Sequence, residues 1–95
     1  MGKFPYNAYK SDVITATDTF QTITPDFDAE EFYIENLSDD YDIIVKFDNG
    51  DEITIKAGYF LGGVQDFDKM YIKCASAGKT ASVNYTVQGY IKLAH

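Results

Sequence analysis

Side chains able to do chemistry are few in this chain, and their spacing does not assemble a reactive centre. The sole histidine, His95, is the final residue, and the sole cysteine is Cys74. A Ser-His-Asp relay needs a histidine held between nucleophile and carboxylate, and a histidine metal site needs the ring fixed among other ligands, so a terminal histidine serves neither within one subunit. Cys74 stands on the apolar side of Met70-Tyr71-Ile72-Lys73-Cys74. It reads as a small core residue, because a nucleophilic thiolate there would need a base beside it. With a single cysteine, no internal disulfide can form.

Carboxylates are plentiful: 15 acidic residues stand against 8 basic ones, a formal net charge of −7. They gather as Asp26, Asp28, Glu30 and Glu31, as Asp39, Asp40 and Asp42, and as Asp48, Asp51 and Glu52. Hard cations such as Ca²⁺ take carboxylate oxygens and could bridge two such loops, but the spacing does not match the helix-loop-helix calcium signature, and the clusters read as solvated loops. A paired-carboxylate hydrolase needs two acids across a cleft, and nothing singles out a pair. Gly62-Gly63 follows Phe60-Leu61 with no helix behind it, so it is not a phosphate-cradling loop and is expected to let the chain bend between strands. Phosphate neutralisation requires clustered Lys and Arg, which argues against direct nucleic-acid binding. The expectation is a non-enzyme with no catalytic residue, metal or cofactor.

Eight tyrosines and seven phenylalanines, 16% of the chain, exceed what a core of this size must use. Large, rather rigid rings suit contact surfaces because they bury much area for little lost rotamer freedom. Phe4, Tyr6 and Tyr9 fall in residues 1–10, which match no clear strand pattern and are expected to form an N-terminal arm ahead of one domain at residues 11–95. These three are the expected partner-binding residues, with the arm lying across a neighbouring subunit; the alternative is an arm folded back on its own domain. Tyr33, Tyr71 or Tyr90 on one wet sheet face, beside Asn84 or Gln88, would instead stack on sugar rings.

The elements that must position these rings are strands. Ile43, Val45 and Phe47 alternate with Ile44, Lys46 and Asp48, and Ile53 and Ile55 repeat the pattern, the period of two of a half-buried strand. Between them Asn49-Gly50 predicts a tight two-residue hairpin turn, since both residues accept positive φ at small cost. Met70, Ile72 and Cys74, then Ser76-Ala77-Gly78-Lys79, then Ala81, Val83, Tyr85 and Val87 predict a second antiparallel hairpin. Phe32 and Ile34 mark a short strand stopping near Asn36, residues 12–16 and 20–23 are further strands, and Pro25 with Asp26-Phe27-Asp28-Ala29 reads as a connection. About six to eight strands favour two antiparallel sheets packed face to face or a small closed barrel, since either buries both apolar faces, and the sandwich is the preferred reading. The fold class is therefore an all-β sandwich without substantial helix, with jelly-roll and immunoglobulin-like strand orders both open.

No segment reaches the roughly 18–20 apolar residues of a membrane-spanning helix, and Met1-Gly2-Lys3-Phe4-Pro5 opens no signal peptide, so synthesis in a cytoplasm is expected. Tyr6 stands where a myristoylation signal has Ser or Thr.

The run Ile34-Glu35-Asn36-Leu37-Ser38-Asp39-Asp40-Tyr41-Asp42-Ile43-Ile44-Val45-Lys46-Phe47, then Ile53-Thr54-Ile55-Lys56-Ala57-Gly58, is followed by the strands at Met70–Ala75 and Ser82–Val87. This order of parts resembles the small β-sandwich virion proteins of tailed bacteriophages, of the capsid decoration and head-fibre kind. The resemblance spans roughly residues 20 to 90 and is one of strand and turn types. It implies a structural protein made in the host cytoplasm and located in the virion, binding the major capsid protein or other virion subunits, commonly as a homotrimer. A carbohydrate- or receptor-binding module of a tail or head fibre is the alternative.

Overall fold

The alternating segments form eight strands: β1 Ala8–Ala16, β2 Gln21–Ile23, β3 Asp28–Asn36, β4 Ile43–Phe47, β5 Ile53–Ile55, β6 Phe60–Phe67, β7 Met70–Cys74 and β8 Ala81–Tyr90. The structure, a computed structural model, describes residues 6–92. One four-stranded sheet has the order β1-β8-β3-β6 and the other β2-β7-β4-β5, and every pairing is antiparallel. Only β4 and β5 are consecutive neighbours; the other connections pass from one sheet to the other. This is the strand order of a jelly roll, in which two interleaved Greek keys fold over one core. An immunoglobulin-like order, which keeps more consecutive strands together, is excluded.

Both sheets turn one apolar face inward. Ile34, Val83 and Val87 meet Ile43, Val45 and Ile72, all at 0% exposure. Phe47 sits between the layers, its ring 4.5 Å from that of Phe32 and 4.8 Å from that of Phe67. Tilted ring pairs at this spacing align ring edge with ring face, and each buried aromatic contributes about 1.5–3 kcal/mol relative to exposure. Cys74, 1% exposed, is a core residue. Among the described residues no buried side-chain nitrogen or oxygen lacks a hydrogen-bond partner.

Five expectations change. The segments Met70–Cys74 and Ala81–Val87 are both strands with the expected inward residues, but they are not a hairpin: β7 pairs with β2 and β4, and β8 with β1 and β3. Two apolar faces fill one core equally well from opposite sheets, so the link at Ser76–Lys79 changes layers. It is held there by Gly78 N–H donating to Asp18 Oδ2 at 2.8 Å.

The β4–β5 turn lies one residue earlier than Asn49-Gly50. Gly50 N–H donates to the Phe47 carbonyl at 2.9 Å, and the positive φ falls on Asp48. Tertiary contacts fix this residue: the Asp48 carboxylate accepts from the N–H groups of Asp68 and Lys69, at 3.1 and 3.0 Å, while Asp48 N–H donates to the Lys69 carbonyl.

Gly62 and Gly63 lie inside β6 and do not bend the chain between strands. Gly63 instead gives room to the Phe32 ring, which a Cβ there would meet at 3.3 Å.

The boundary of the arm also moves, because Ala8–Lys10 belong to β1 and pair with Gly89, Gln88 and Val87. Asp28 and Ala29, read as connection, open β3, and a bulge follows between Ala29 and Glu31.

Candidate interaction surface

The outer face of the β1-β8-β3-β6 sheet is built from the residues that alternate with the core. Cross-strand register sets Tyr9, Gln88, Glu31 and Val64 in one row, Ser11, Thr86, Tyr33 and Gly62 in the next, and Val13, Asn84, Glu35 and Phe60 in a third. Gln88 Nε2 donates to Glu31 Oε1 at 2.8 Å, and the Ser11 and Thr86 hydroxyls lie 3.0 Å apart. Tyr33 is next to Gly62, where a Cβ would come within 3.6 Å of its ring. At that distance a Cβ would make only ordinary van der Waals contact, and the tyrosine leans along the sheet to stack on Phe60, with centroids 5.3 Å apart and planes 27° from parallel. Phe60 remains 64% and Val64 72% exposed. Exposed apolar residues gathered on one sheet, rather than scattered singly, mark a contact surface.

The expected contact residues separate. Phe4 lies outside the described residues, as does His95. Tyr6 folds back onto its own sheet, its ring 5.3 Å from that of Tyr90, and Asn7 N–H donates to the Gly89 carbonyl. Tyr9 is a β1 residue on the outer face, 76% exposed. Tyr33 and Tyr90 share that outer face with Asn84 and Gln88, but Tyr71 stands on the opposite sheet, so the three tyrosines form no common platform. The sequence reading missed Phe60 and Val64. Their signal was present: apolar residues at every second position around Gly62, with no charge from Tyr59 to Gln65.

Tyr71 belongs to a different cluster. Lys46 Nζ lies 5.1 Å from the Tyr71 ring centre and 5.3 Å from that of Phe20, and Lys73 Nζ lies 4.8 Å from the Phe20 ring. Each ammonium is attracted to the electron-rich ring face beneath it. These rings are occupied by the protein's own cations.

Acidic residues meet at one end of the sandwich. Asp28, Glu30, Asp48, Asp66 and Asp68, with Ala29 and Phe67, line an open concavity of about 410 Å³. Asp48 is engaged by the Asp68 and Lys69 amides, and among the described residues no group of three His, Cys, Asp or Glu is placed to hold a metal ion. In the Asp39-Asp40-Asp42 stretch, Asp42 Oδ1 accepts from Ala57 N–H at 3.1 Å, which ties that loop to the turn after β5. Among the described residues no helix is long and apolar enough to cross a membrane.

Fold and surface together define an eight-stranded jelly-roll module with an aromatic outer face. Comparison with protein-family models and with curated proteins finds no match.

Proposed function

We propose that this chain is a non-enzymatic structural protein of a tailed-phage virion, an auxiliary subunit that binds the assembled shell through the outer face of its β1-β8-β3-β6 sheet. The observation that carries the reading is the exposed Tyr33–Phe60 stack in a strongly acidic chain. Rings left in water and braced against each other lose little freedom on contact, so they make efficient anchors. Jelly rolls serve both as viral capsid and as lectin domains, and fold alone does not choose between them; the strand-and-turn resemblance favours the virion. The partners in this reading are the major capsid protein and neighbouring virion subunits. The chain is made in the host cytoplasm and resides in the particle, and the trimer rests on the resemblance alone.

Co-sedimentation with intact shells tests it. The wild-type chain is expected to pellet with shells, Phe60→Ala to lose at least about tenfold in affinity, and a chain lacking residues 1–5 to report separately on the arm. Absence of the wild-type chain from the pellet at every concentration would end the proposal.

A second reading, a glycan-binding module, draws on the amides of Asn84 and Gln88 beside the same ring pair. It requires saccharide binding on a glycan array that Tyr33→Ala abolishes.

A further inference from the structure

A sheet edge is a row of unpaired amides and carbonyls, and three of the four edges here are blunted. β2 and β5 are only three residues long, and β1 carries Lys10 and Asp12 on the side that turns inward at Ile14 and Ala16. Short strands and inward-side charges are the usual protection of an edge. β6 has neither. It runs for eight residues at the edge of its sheet and contains no charge between Tyr59 and Gln65 in a chain of net charge −7.

The hydrogen-bond phase of this edge is also determined. Asn36 N–H donates to the Tyr59 carbonyl, and the β3–β6 register continues through Glu35↔Phe60, Ile34↔Leu61, Tyr33↔Gly62, Phe32↔Gly63 and Glu31↔Val64. Antiparallel ladders alternate between bonded and non-bonded pairs. Leu61 and Gly63 therefore direct their backbone groups to β3, while Phe60, Gly62 and Val64 direct theirs away from the sheet.

We propose that β6 pairs antiparallel with β6 of a second copy of this chain, about a two-fold axis at Gly62. That register alone engages the outward amides and carbonyls of Phe60, Gly62 and Val64 together: Gly62 faces its own counterpart, and Phe60 of each copy faces Val64 of the other. An aromatic residue opposite a β-branched one is a favourable cross-strand pair. Charge points to the same orientation. Lys56 precedes β6, and Asp66 and Asp68 stand at its other end, so antiparallel copies bring the basic end of one to the acidic end of the other, whereas parallel copies would oppose like charges. The product is one continuous eight-stranded sheet whose outer face carries both Tyr33–Phe60 stacks. Pairing through a single strand is narrower than the roughly 1,200 Å² of a standard stable interface, so the dimer dissociates on dilution. The inference does not depend on the virion reading, and a two-fold dimer takes the place of the trimer that the resemblance implies.

Two experiments on the full chain decide it. Sedimentation equilibrium is expected to show a reversible monomer–dimer system, with Val64→Lys raising the dissociation constant by about tenfold or more while the circular-dichroism spectrum stays that of the wild type, because Val64 is 72% exposed. Gly62→Cys is expected to form a disulfide-linked dimer on mild oxidation. Bonded antiparallel partners have Cα atoms about 5.5 Å apart, within the range a disulfide spans, and Cys74 is buried and does not compete. Thr15→Cys, exposed on the β1 edge, is the control expected to remain monomeric. A wild-type chain that is monomeric up to its solubility limit would overturn the proposal; so would a trimer, or a Gly62→Cys chain that cross-links no faster than the control.

Discussion

Tyr33 of β3 and Phe60 of β6 stack at 5.3 Å although they are not directly opposed in the register. Tyr33 is opposed to Gly62 and reaches Phe60 along the diagonal of the ladder. Because Phe60 is 64% exposed, the pair braces the surface more than the core. Phe60→Ala should cost no more than about 1.5 kcal/mol, the upper range for an aromatic pair beyond area burial. Urea unfolding with an unchanged m-value would show this, and a loss on the scale of a core aromatic would contradict the assignment of Phe60 to the surface.

Asn36 is the buried polar side chain that closes β3 onto the other sheet, at 0% exposure. Its Nδ2 donates to the carbonyls of Tyr41 and Ile55 at 2.8 and 3.1 Å, and its Oδ1 accepts from Ser38 N–H at 3.0 Å. Asn36→Ala strands these groups and should cost about 2–4 kcal/mol. Asn36→Asp sets a carboxylate against two carbonyl oxygens, so its folded-state pKa is raised. Stability of that variant should be greatest below about pH 4 and fall as pH rises. Thermal melts across that range check the sign, and a variant more stable at neutral pH than in acid would refute it.

Gly89 lies opposite the bulge in β3, where Ala29 pairs with Gly89 and Glu31 with Gln88. A Cβ on Gly89 would overlap the Asp28 carbonyl, and backbone, unlike a flexible side chain, cannot swing away. Gly89→Ala is expected to destabilise by about 2–4 kcal/mol, on the scale of other backbone and overpacking effects. The matching change Gly63→Ala meets only the Phe32 ring and should cost less. Chemical denaturation of both variants tests the order, which reverses if the bulge can slide.

Burial pushes the Tyr85 phenol above its ordinary value of 10.0, and the Asp12 carboxylate opposite it on β1 raises it further. Above that pH the unfolded chain releases the proton first and binds fewer protons than the folded one, so stability falls as pH rises. Tyr85's contribution is therefore present in full below pH 10.0 and lost toward its higher folded value. Tyr85→Phe should flatten this alkaline loss, and Asp12→Asn should reduce it. Stability of the three proteins across alkaline pH, with phenolate absorbance as the titration monitor, provides the measurement; identical alkaline profiles would contradict the assignment.

The position of the β4–β5 turn was legible in principle. Val45 faces Ile53 and Ile43 faces Ile55, and residues directly opposed share a face. A two-residue loop at Asn49-Gly50 would instead oppose Val45 to Thr54, so the apolar sets around Val45 and Ile53 are incompatible with that turn by parity alone. The face pattern outweighs the local Asn-Gly turn preference. The Tyr33–Phe60 contact was less accessible, because the two residues meet diagonally across β3 and β6 and no local signal pairs those strands.

Which residues face the interior was settled by sequence alone: alternation at Ile43, Val45 and Phe47 and at Ala81, Val83, Tyr85 and Val87 carried directly into burial, because a strand's side chains alternate whatever it pairs with. Pairing itself was decided by the tertiary structure. β7 and β8 present equivalent apolar faces, and no local signal distinguishes two strands beside each other from two strands across a core. Closing both sheets over one interior, with the Phe32, Phe47 and Phe67 rings filling it, selected the order β1-β8-β3-β6 over β2-β7-β4-β5 and left β6 at an open edge.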